Sequence, residues 1–466
     1  MREMKRIIVI MMAIILFIQY ASAQSVDNQQ SKVSSRPEYT LRDLYRIALE
    51  RSERIKISEQ DLFIAEREKD KAMSVLLPKL SVFGDYTKYN EEKFSTSSVG
   101  SFTIQPEISS SWGLRLDQSL SLSGREIMSF QISKENIESS RYDLYIVRED
   151  YLLSVSTSYY DVLKTNKAVE IAGANVDRLT KHRDAARTRL RVGEVTKTAL
   201  LRAEAELSGA QSEIIKAENN LNLAKAVLAR VVGISGEYDI KESGVEGLST
   251  TRVELEVKNR IAVDYSLRPL VSLKEEAIVE RAELKRLELQ KEIAEKQVRY
   301  AKGTYWPTLS IEGVYSRRDE DPSSPFLNKE SVYGVLRLNF PFFEGGLTRA
   351  EVREAEAKKK QSELFYEDLR KTINIDIENA YLDLRTQTGI LKSLEDQLTF
   401  ARDNYNAVSK QFEFGLANSI DVMDANTLLV TSERQLTDAR YNYQLSILRL
   451  KRATGTLLKT VLSQEK

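Results

Sequence analysis

Two copies of one pattern, 222 residues apart, make up most of the sequence. The alignment of the two copies needs no gap from residue 116 to residue 233. Further upstream, Pro78 matches Pro307 at an offset of 229 residues. A repeat of this length predicts two similar structural units in the fold. The identities are Tyr159 with Tyr381, Asp161 with Asp383, Gly193 with Gly415, Asn220 with Asn442, and Gly233 with Gly455.

Each copy is predicted to fold in the order helix, β-hairpin, long helix, turn and helix. The last helix of each copy has large residues at every seventh position and mostly Ala or Ser between them. This pattern is typical of a coiled-coil seam, in which the small residues let helix backbones approach closely. A helical hairpin inside a globular domain is the alternative, but a strict seven-residue repeat over this length is unusual there. The seams are Leu200, Leu207, Ile214, Leu221 and Leu228 with Ala203, Ala210, Ala217 and Ala224, and Val422, Leu429, Leu436, Tyr443 and Leu450 with Ala425, Ser432, Ala439, Ser446 and Ala453.

The long helix of the first copy sets the scale of the molecule. Residues 125–190 contain no Pro and consist mostly of helix-forming residues. At 1.5 Å per residue, such a helix is about 100 Å long. A compact domain has no room for it, so the sequence indicates a tube or a stalk.

Four segments alternate between apolar and polar residues, as strands with one apolar face do. Each is close to the roughly 9–11 residues that cross a bilayer as a tilted strand. Two soluble hairpins with one buried face are the alternative. The polar segments 90–107 and 317–330 are predicted to be extracellular loops. The apolar faces are Leu80, Val82, Gly84 and Tyr86; Trp112, Leu114, Leu116 and Leu120; Leu309, Ile311, Gly313 and Tyr315; and Val332, Gly334, Leu336, Leu338 and Phe340.

The first residues resemble a secretory signal. A basic start at 2–6 precedes an apolar run from Ile7 to Ile18, and Ala21-Ser22-Ala23 provides a small-x-small cleavage pattern. An uncleaved anchor is the alternative, but the run is shorter than the roughly 20 residues of a membrane-spanning helix. We expect cleavage before Gln24 and passage of the mature chain across the inner membrane.

Composition excludes several classes of function. The 69 basic residues equal the 69 acidic residues, which argues against a nucleic-acid partner. With no Cys and one His, the chain lacks thiolate chemistry, Cys/His metal sites and a lipid anchor through Cys. No catalytic constellation or phosphate loop is recognisable. We therefore expect no enzymatic activity, no catalytic residues, no cofactor and no metal.

Four strands cannot close a barrel, and an open sheet edge cannot face lipid. Two chains would give about eight strands, whose interior is filled by side chains, whereas three give about twelve and leave room for a lumen. Arg115, Asp117, Glu312 and Arg337 suit a wet interior. If the hairpins span the membrane, this reasoning favours a trimer or a larger ring over a dimer.

Five motifs follow one another along residues 40–458. They are Thr40-Leu41-Arg42-Asp43-Leu44 with Ala48-Leu49, Arg268-Pro269-Leu270, Trp306-Pro307-Thr308-Leu309-Ser310, Pro341-Phe342-Phe343-Glu344-Gly345-Gly346, and Phe412-x-x-Gly415 followed by Asp421-Val422-Met423-Asp424-Ala425. Each motif is weak alone, but their order within the repeat is specific. In this order they resemble the TolC-like family of outer-membrane factors.

The resemblance implies an α+β membrane protein, in which a long α-helical coiled-coil barrel joins a transmembrane β-barrel with four strands per protomer in a trimer. It implies a passive exit duct in the outer membrane of a Gram-negative bacterium, with a large periplasmic part. The implied partners are a periplasmic adaptor and an inner-membrane pump or ATPase of an efflux or type I secretion system. The predicted organisation is a signal peptide at 1–23, a flexible segment at 24–39, a first repeat at 40–233, a linker at 234–254, a second repeat at 255–458 and a tail at 459–466.

Asp421 and Asp424 match the family's pore-constricting aspartates. Their spacing of three places both on one helix face, and threefold symmetry would stack them as two acidic rings that favour cations. The alternative is helix capping, since Asn418 or Ser419 starts the helix and aspartates favour its positive end.

The resemblance also implies that the tip turns contact the adaptor. The turn glycines themselves are explained by C-capping alone. The links that close the tip in the best-known member cannot form here, because the matching positions are Phe412, Ala417 and Ala199. Arg191, Glu194 and Lys197 are candidates for closure, and so is packing alone; His182 is predicted to be solvated. The turns are Val192, Gly193 and Glu194, and Phe414, Gly415 and Leu416.

Two alternative functions remain compatible with the sequence. A periplasmic adaptor would have one long helical hairpin flanked by split β-modules, which the duplicated strand pairs disfavour. A soluble periplasmic scaffold without a pore would be found in the soluble fraction when cells are fractionated.

Overall fold

A computed structural model of the protein describes residues 37–97, 100–242, 268–324 and 327–463. The predicted signal peptide at 1–23 lies outside the described residues, and so does the segment at 24–39 up to residue 36. Residues 243–254 of the predicted linker and 464–466 of the tail also lie outside them.

The first copy contains six strands and four helices in its described part, counting the short strand after its last helix. Ser52 separates the first two helices, and its hydroxyl accepts a hydrogen bond from the Ile55 amide at 3.4 Å. The elements are β1 (Glu38–Tyr39), α1 (Leu41–Arg51), α2 (Glu53–Ser74), β2 (Lys79–Lys88), β3 (Lys93–Ser97), β4 (Gly100–Gln105), β5 (Ile108–Ser121), α3 (Arg125–Arg191), α4 (Lys197–Val232) and β6 (Asp239–Ile240).

The second copy repeats the four helices and the strand pair β2 and β5 at the offsets found in the sequence, and a further short helix follows. Helices α3 and α7 both have 67 residues and start 222 positions apart, whereas α1 and α5 both have 11 residues and start 229 positions apart. The predicted long helix is therefore confirmed. The elements are α5 (Leu270–Glu280), α6 (Ala282–Lys302), β7 (Thr308–Asp321), β8 (Glu330–Asn339), α7 (Leu347–Glu413), α8 (Ser419–Ala453) and α9 (Leu457–Ser463).

The four predicted strands form one antiparallel sheet in the order β2-β5-β7-β8. Its register places Val82 beside Leu114, Leu114 beside Tyr315, and Tyr315 beside Val332, so the apolar residues share one face. Strands β2 and β8 are the two edges. The segments 90–107 and 317–330, predicted as extracellular loops, contain strand residues: β3 and β4 form a hairpin within the first, and β7 continues to Asp321 in the second.

The helices lie side by side in a fixed lateral order. Toward the turns the order is α4-α3-α8-α7, and toward the sheet it is α2-α3-α6-α7. Helix α8 lies between two partners, so all ten of its predicted seam residues are buried. Helix α4 packs mainly on α3, so the first seam is buried only in part. No helix among the described residues is long and apolar enough to cross a bilayer.

A buried ion cluster ties the last helix to α3. The Glu149 carboxylate is fully buried and accepts a hydrogen bond from the Leu458 amide at 3.2 Å. The Arg452 guanidinium lies 3.5 Å from Glu149 and 2.6 Å from Glu283. Burial raises the pKa of Glu149 to about 7, although Arg452 opposes the shift.

This raised pKa predicts a stability that depends on pH. A carboxyl whose pKa is higher in the folded than in the unfolded protein stabilises the fold while protonated, and that contribution is lost as the pH rises through about 7. The loss is about 3 kcal/mol between pH 4.5 and 8. We expect Glu149→Gln, which keeps the acceptor for Leu458, to flatten this part of the pH profile of the melting temperature. Identical profiles for both proteins would contradict the assignment.

Candidate functional site at the helix turns

Helices α3 and α4 form the first long helical hairpin, and helices α7 and α8 form the second. The turns that join the two helices of each hairpin have the same backbone conformation. In the first turn Gly193 has φ +80°, and the Glu194 amide donates to the Arg189 carbonyl at 2.9 Å. In the second turn Gly415 has φ +78°, and the Leu416 amide donates to the Gln411 carbonyl at 2.8 Å. This six-to-one bond after a left-handed residue is the Schellman motif, which explains the glycine in each turn. The side chains of Val192, Phe414 and Leu416 are exposed.

Asp421 is a capping residue, as the alternative reading predicted. Its carboxylate accepts from the Asn418 amide at 3.0 Å, and the Asn418 side chain accepts from the Asp421 amide at 3.0 Å. This reciprocal pair is a capping box. Asp424 lies one turn further along α8 and takes no part in the cap. Both side chains are exposed on one face of the protomer, so the cap leaves their charges accessible.

Three polar contacts join α3 to the second hairpin, and we call them the tip seam. Asn426 donates its side-chain amide to Asn175 at 2.7 Å, and His182 Nε2 lies 2.8 Å from Ser419 Oγ. Arg189 donates to the main-chain carbonyl at position 412. The three α3 residues lie at positions 175, 182 and 189, which are seven apart. Their partners lie at positions 426, 419 and 412, which are also seven apart but run in the opposite chain direction. This is the register of an antiparallel coiled coil with one polar position per heptad.

Arg189 is the outermost member of the tip seam. Its side chain is 15% exposed, and Nε donates to Glu194 at 2.9 Å within its own turn. The guanidinium carbon lies 4.9 Å from the centre of the Phe412 ring. A Cβ at Gly415 would come within 3.2 Å of the guanidinium. One side chain thus contacts both turns through hydrogen bonds, a cation–π contact and close packing.

His182 occupies the middle of the tip seam, and the expectation that it is solvated was wrong. Its side chain is 6% exposed, and its ring lies 4.8 Å from that of Phe412. Burial lowers the pKa of His182 below its usual value. The charged neighbours in the sequence suggested solvent, but they lie on other faces of the helix.

Arg178 reinforces the innermost contact. Its Nε donates to Asn426 at 3.0 Å, and its guanidinium pairs with Glu433 at 3.2 Å. Both charged side chains are less than one fifth exposed. Arg178 also lies over the Tyr405 ring of α7, at 5.9 Å. The inner end of the tip seam therefore holds three helices together.

The sequence offered Arg191, Glu194 and Lys197 as candidates for tip closure, and this stays a prediction. Glu194 accepts a hydrogen bond from Arg189 within its own turn, whereas Arg191 and Lys197 are exposed. The signal that could have found the tip seam is the series Asn175, His182 and Arg189, which repeats every seven residues in an otherwise helical segment. In the described part of the chain, no group of His, Cys, Asp and Glu side chains has an arrangement that could hold a metal ion.

Comparison with known proteins places this architecture in a family. A family model described as "Outer membrane efflux protein" matches residues 44–234 and 273–456. The outer membrane protein TolC of Escherichia coli (strain K12) is 23% identical over 402 residues, which are 83% of this chain and 76% of that protein. The alkaline protease secretion protein AprF of Pseudomonas aeruginosa is 22% identical over 311 residues, which are 66% of this chain and 62% of that protein.

The fold agrees with the sequence comparison. The outer membrane protein VceC of Vibrio cholerae superposes with a TM-score of 0.73 at 16% identity, covering 89% of this chain and 96% of that one. The chain therefore belongs to the outer membrane efflux protein family, which confirms the resemblance seen in its motifs. It is an exit channel of the outer membrane, and its helical part has the fold of such channels.

Proposed function

We propose that three copies of the chain form an exit duct whose sheets close a twelve-stranded β-barrel in the outer membrane and whose helices close a periplasmic tunnel. A periplasmic adaptor and an inner-membrane pump or ATPase would feed it. The observation that carries the proposal concerns the two sides of the protomer. In the described residues, both the sheet and the helical layer end on each side in an element without a partner, and the two sides complement each other.

The sheet supplies the first pair of flanks. Among the residues that the structure describes, no strand pairs with the outer side of β2 or β8, and the order of four alternating strands makes β8 of one copy antiparallel to β2 of the next. Head-to-tail pairing then continues the ladder around a ring. Closing the ring pairs every strand edge, and an unpaired edge could not lie in lipid.

The helices supply the second pair. Helices α4 and α7 lie at opposite ends of the lateral order, and each has exposed apolar residues roughly 100–180° around its axis from the nearest buried residues. An apolar stripe on the outer face of a flank helix indicates a partner there. The stripes are Leu201, Ile215, Leu223 and Val227 on α4, and Leu364, Ile375, Leu382 and Phe400 on α7.

The two faces of the sheet fit opposite surroundings. One face exposes eleven large apolar side chains, as a lipid-facing surface does. The other contains the four charged residues that the sequence suggested for a wet interior, among which Arg115 pairs with Glu312 at 3.6 Å. At the helical end of the sheet, Trp306, Phe342 and Phe343 are 59%, 88% and 81% exposed, which suits a membrane–water boundary. The apolar residues are Leu80, Val82, Tyr86, Trp112, Leu114, Leu116, Leu120, Ile311, Val332, Leu336 and Leu338.

The turns are the proposed entrance. Asp421 and Asp424 of three copies would form acidic rings at the constriction, and the exposed turn residues would contact the adaptor. The tip seam holds the two hairpins of each protomer together in the closed entrance. The organisation into units at 40–233 and 255–458 follows the repeat. The contact residues are Val192, Gly193, Glu194, Phe414, Gly415 and Leu416.

The acidic rings predict an effect on ion selectivity. We expect the double variant Asp421→Asn with Asp424→Asn to lose most of the cation preference of the purified channel and to conduct more. Asn at 421 keeps an oxygen that can accept from the Asn418 amide, so the capping box survives while the charge is removed. Single-channel recording in planar bilayers measures both quantities.

The matched control changes the charge elsewhere on the same hairpin. Asp403→Asn removes an exposed carboxylate of α7 from a position away from the turn. It should leave selectivity unchanged. Unaltered selectivity in the Asp421 and Asp424 double variant would remove the ring hypothesis, and a protein found only in the soluble fraction would contradict the duct itself.

A further inference from the structure

The tip seam has one member that can gain a charge near neutral pH. His182 is the only histidine in the 466 residues, and it lies between the two arginine contacts of the seam. Its partners come from two elements: the Ser419 hydroxyl at the start of α8, and the Phe412 ring at the end of α7. Separating the hairpins would therefore expose the imidazole to water.

The surroundings of His182 favour the neutral ring. Ala186 and Val422 are buried beside Phe412 in the same apolar cluster. Among the described residues, no carboxylate forms an ion pair with His182. A proton on the imidazole would place a charge in a site that offers only a hydroxyl and an aromatic ring, which is costly.

The charged groups on the packed elements are already engaged or face solvent. On α3, Arg178 pairs with Glu433 of α8, and Arg189 contacts Glu194 and the 412 carbonyl. The charged groups within five residues of His182 on α3 are also paired or exposed: Arg183 pairs with Asp184, Arg187 pairs with Glu204 of α4, and Asp177 and Lys181 are exposed. From the second hairpin, Lys410, Glu413 and Asp421 are exposed, and Tyr405 lies under Arg178.

We propose that His182 makes the closed entrance acid-labile: its neutral imidazole holds Ser419 and Phe412 against α3, and a proton on the ring favours the separated hairpins. The inference rests on the closing role proposed for the tip seam. It deepens that role by naming the proton as the regulator.

The direction of the effect follows from linkage. Burial lowers the pKa of His182 in the closed tip, whereas an imidazole exposed in the separated tip titrates near 6.5. The closed tip is therefore favoured above about pH 6.5, and this advantage falls as the pH drops toward the lower pKa of the closed form. Periplasmic acidification would then promote opening.

The sequence makes a direct test practicable. Because the chain has one His, ¹⁵N-histidine labelling of the full-length protein gives a single imidazole to titrate by NMR. Because it has no Cys, Lys197→Cys with Glu413→Cys attaches spin labels only at two exposed positions, one on each hairpin. Electron double resonance then measures the separation of the hairpins between about pH 7.5 and 5.5.

We expect a longer distance to gain population as the pH falls, and His182→Gln to remove that pH response while keeping polar contact with Ser419. Ser419→Ala should weaken the closed form but retain the response, because the imidazole remains. An equal pH response in His182→Gln, or an imidazole that titrates at the ordinary value in the closed protein, would overturn the proposal. Since neither measurement uses conduction, a failure of the duct hypothesis would be seen separately in bilayer recordings.

Discussion

Leu382→Asp is expected to convert the assembled protein into monomers in mild detergent. Leu382 is 47% exposed in the protomer and lies on the apolar stripe of α7, roughly 180° from the buried residues Ile377 and Leu384. In the proposed ring it is covered by α4 of the next copy. Loss of the leucine costs about 2 kcal/mol at each interface, and the buried carboxylate adds a larger desolvation penalty. Size-exclusion chromatography with light scattering measures the outcome.

Two controls separate the interface from the fold. Leu382→Met conserves apolar volume and should leave the oligomer intact. Thr372→Asp puts the same charge on an exposed position of α7, about a quarter turn from the stripe. It should disturb assembly far less. If Leu382→Asp remained a trimer with unchanged melting temperature, the pairing of flank helices proposed here would be wrong.

Arg189→Met is expected to open the entrance. The variant keeps much of the aliphatic volume but removes the hydrogen bonds to Glu194 and to the 412 carbonyl, and the cation–π contact with Phe412. A charge-assisted hydrogen bond contributes about 1.5–3 kcal/mol, and about 1.4 kcal/mol corresponds to a factor of ten in an equilibrium. Open probability should therefore rise by about tenfold or more in single-channel recordings.

Arg191→Met is the matched control. It removes the same charge two residues further along, at the exposed last position of α3. Any change due to net charge at the entrance would appear in both variants. Equal open probability of the two variants would show that Arg189 does not hold the hairpins together.

Periodicity in the sequence predicted most of the architecture. The offsets of 222 and 229 residues predicted the matching helices, and the seven-residue repeats predicted the buried face of α8. These features are local: a strand or helix pattern needs only its own residues to be recognised. For the same reason a capping role for Asp421 was among the predictions from sequence, since its partner Asn418 is three residues away.

The contacts between the hairpins needed the tertiary structure. His182 and Ser419 are 237 residues apart, and Arg189 and Phe412 are 223 apart, so no local pattern pairs them. The charged residues around His182 suggested solvent, and only the packing of α3 against α8 shows that its own face is buried. The sequence by itself determined the long helices, the four strands of the main sheet and their repetition, because these follow from local periodicity, whereas the β3–β4 hairpin was not predicted. Only the tertiary structure decided which polar residues meet at the entrance, because that depends on the register between two distant hairpins.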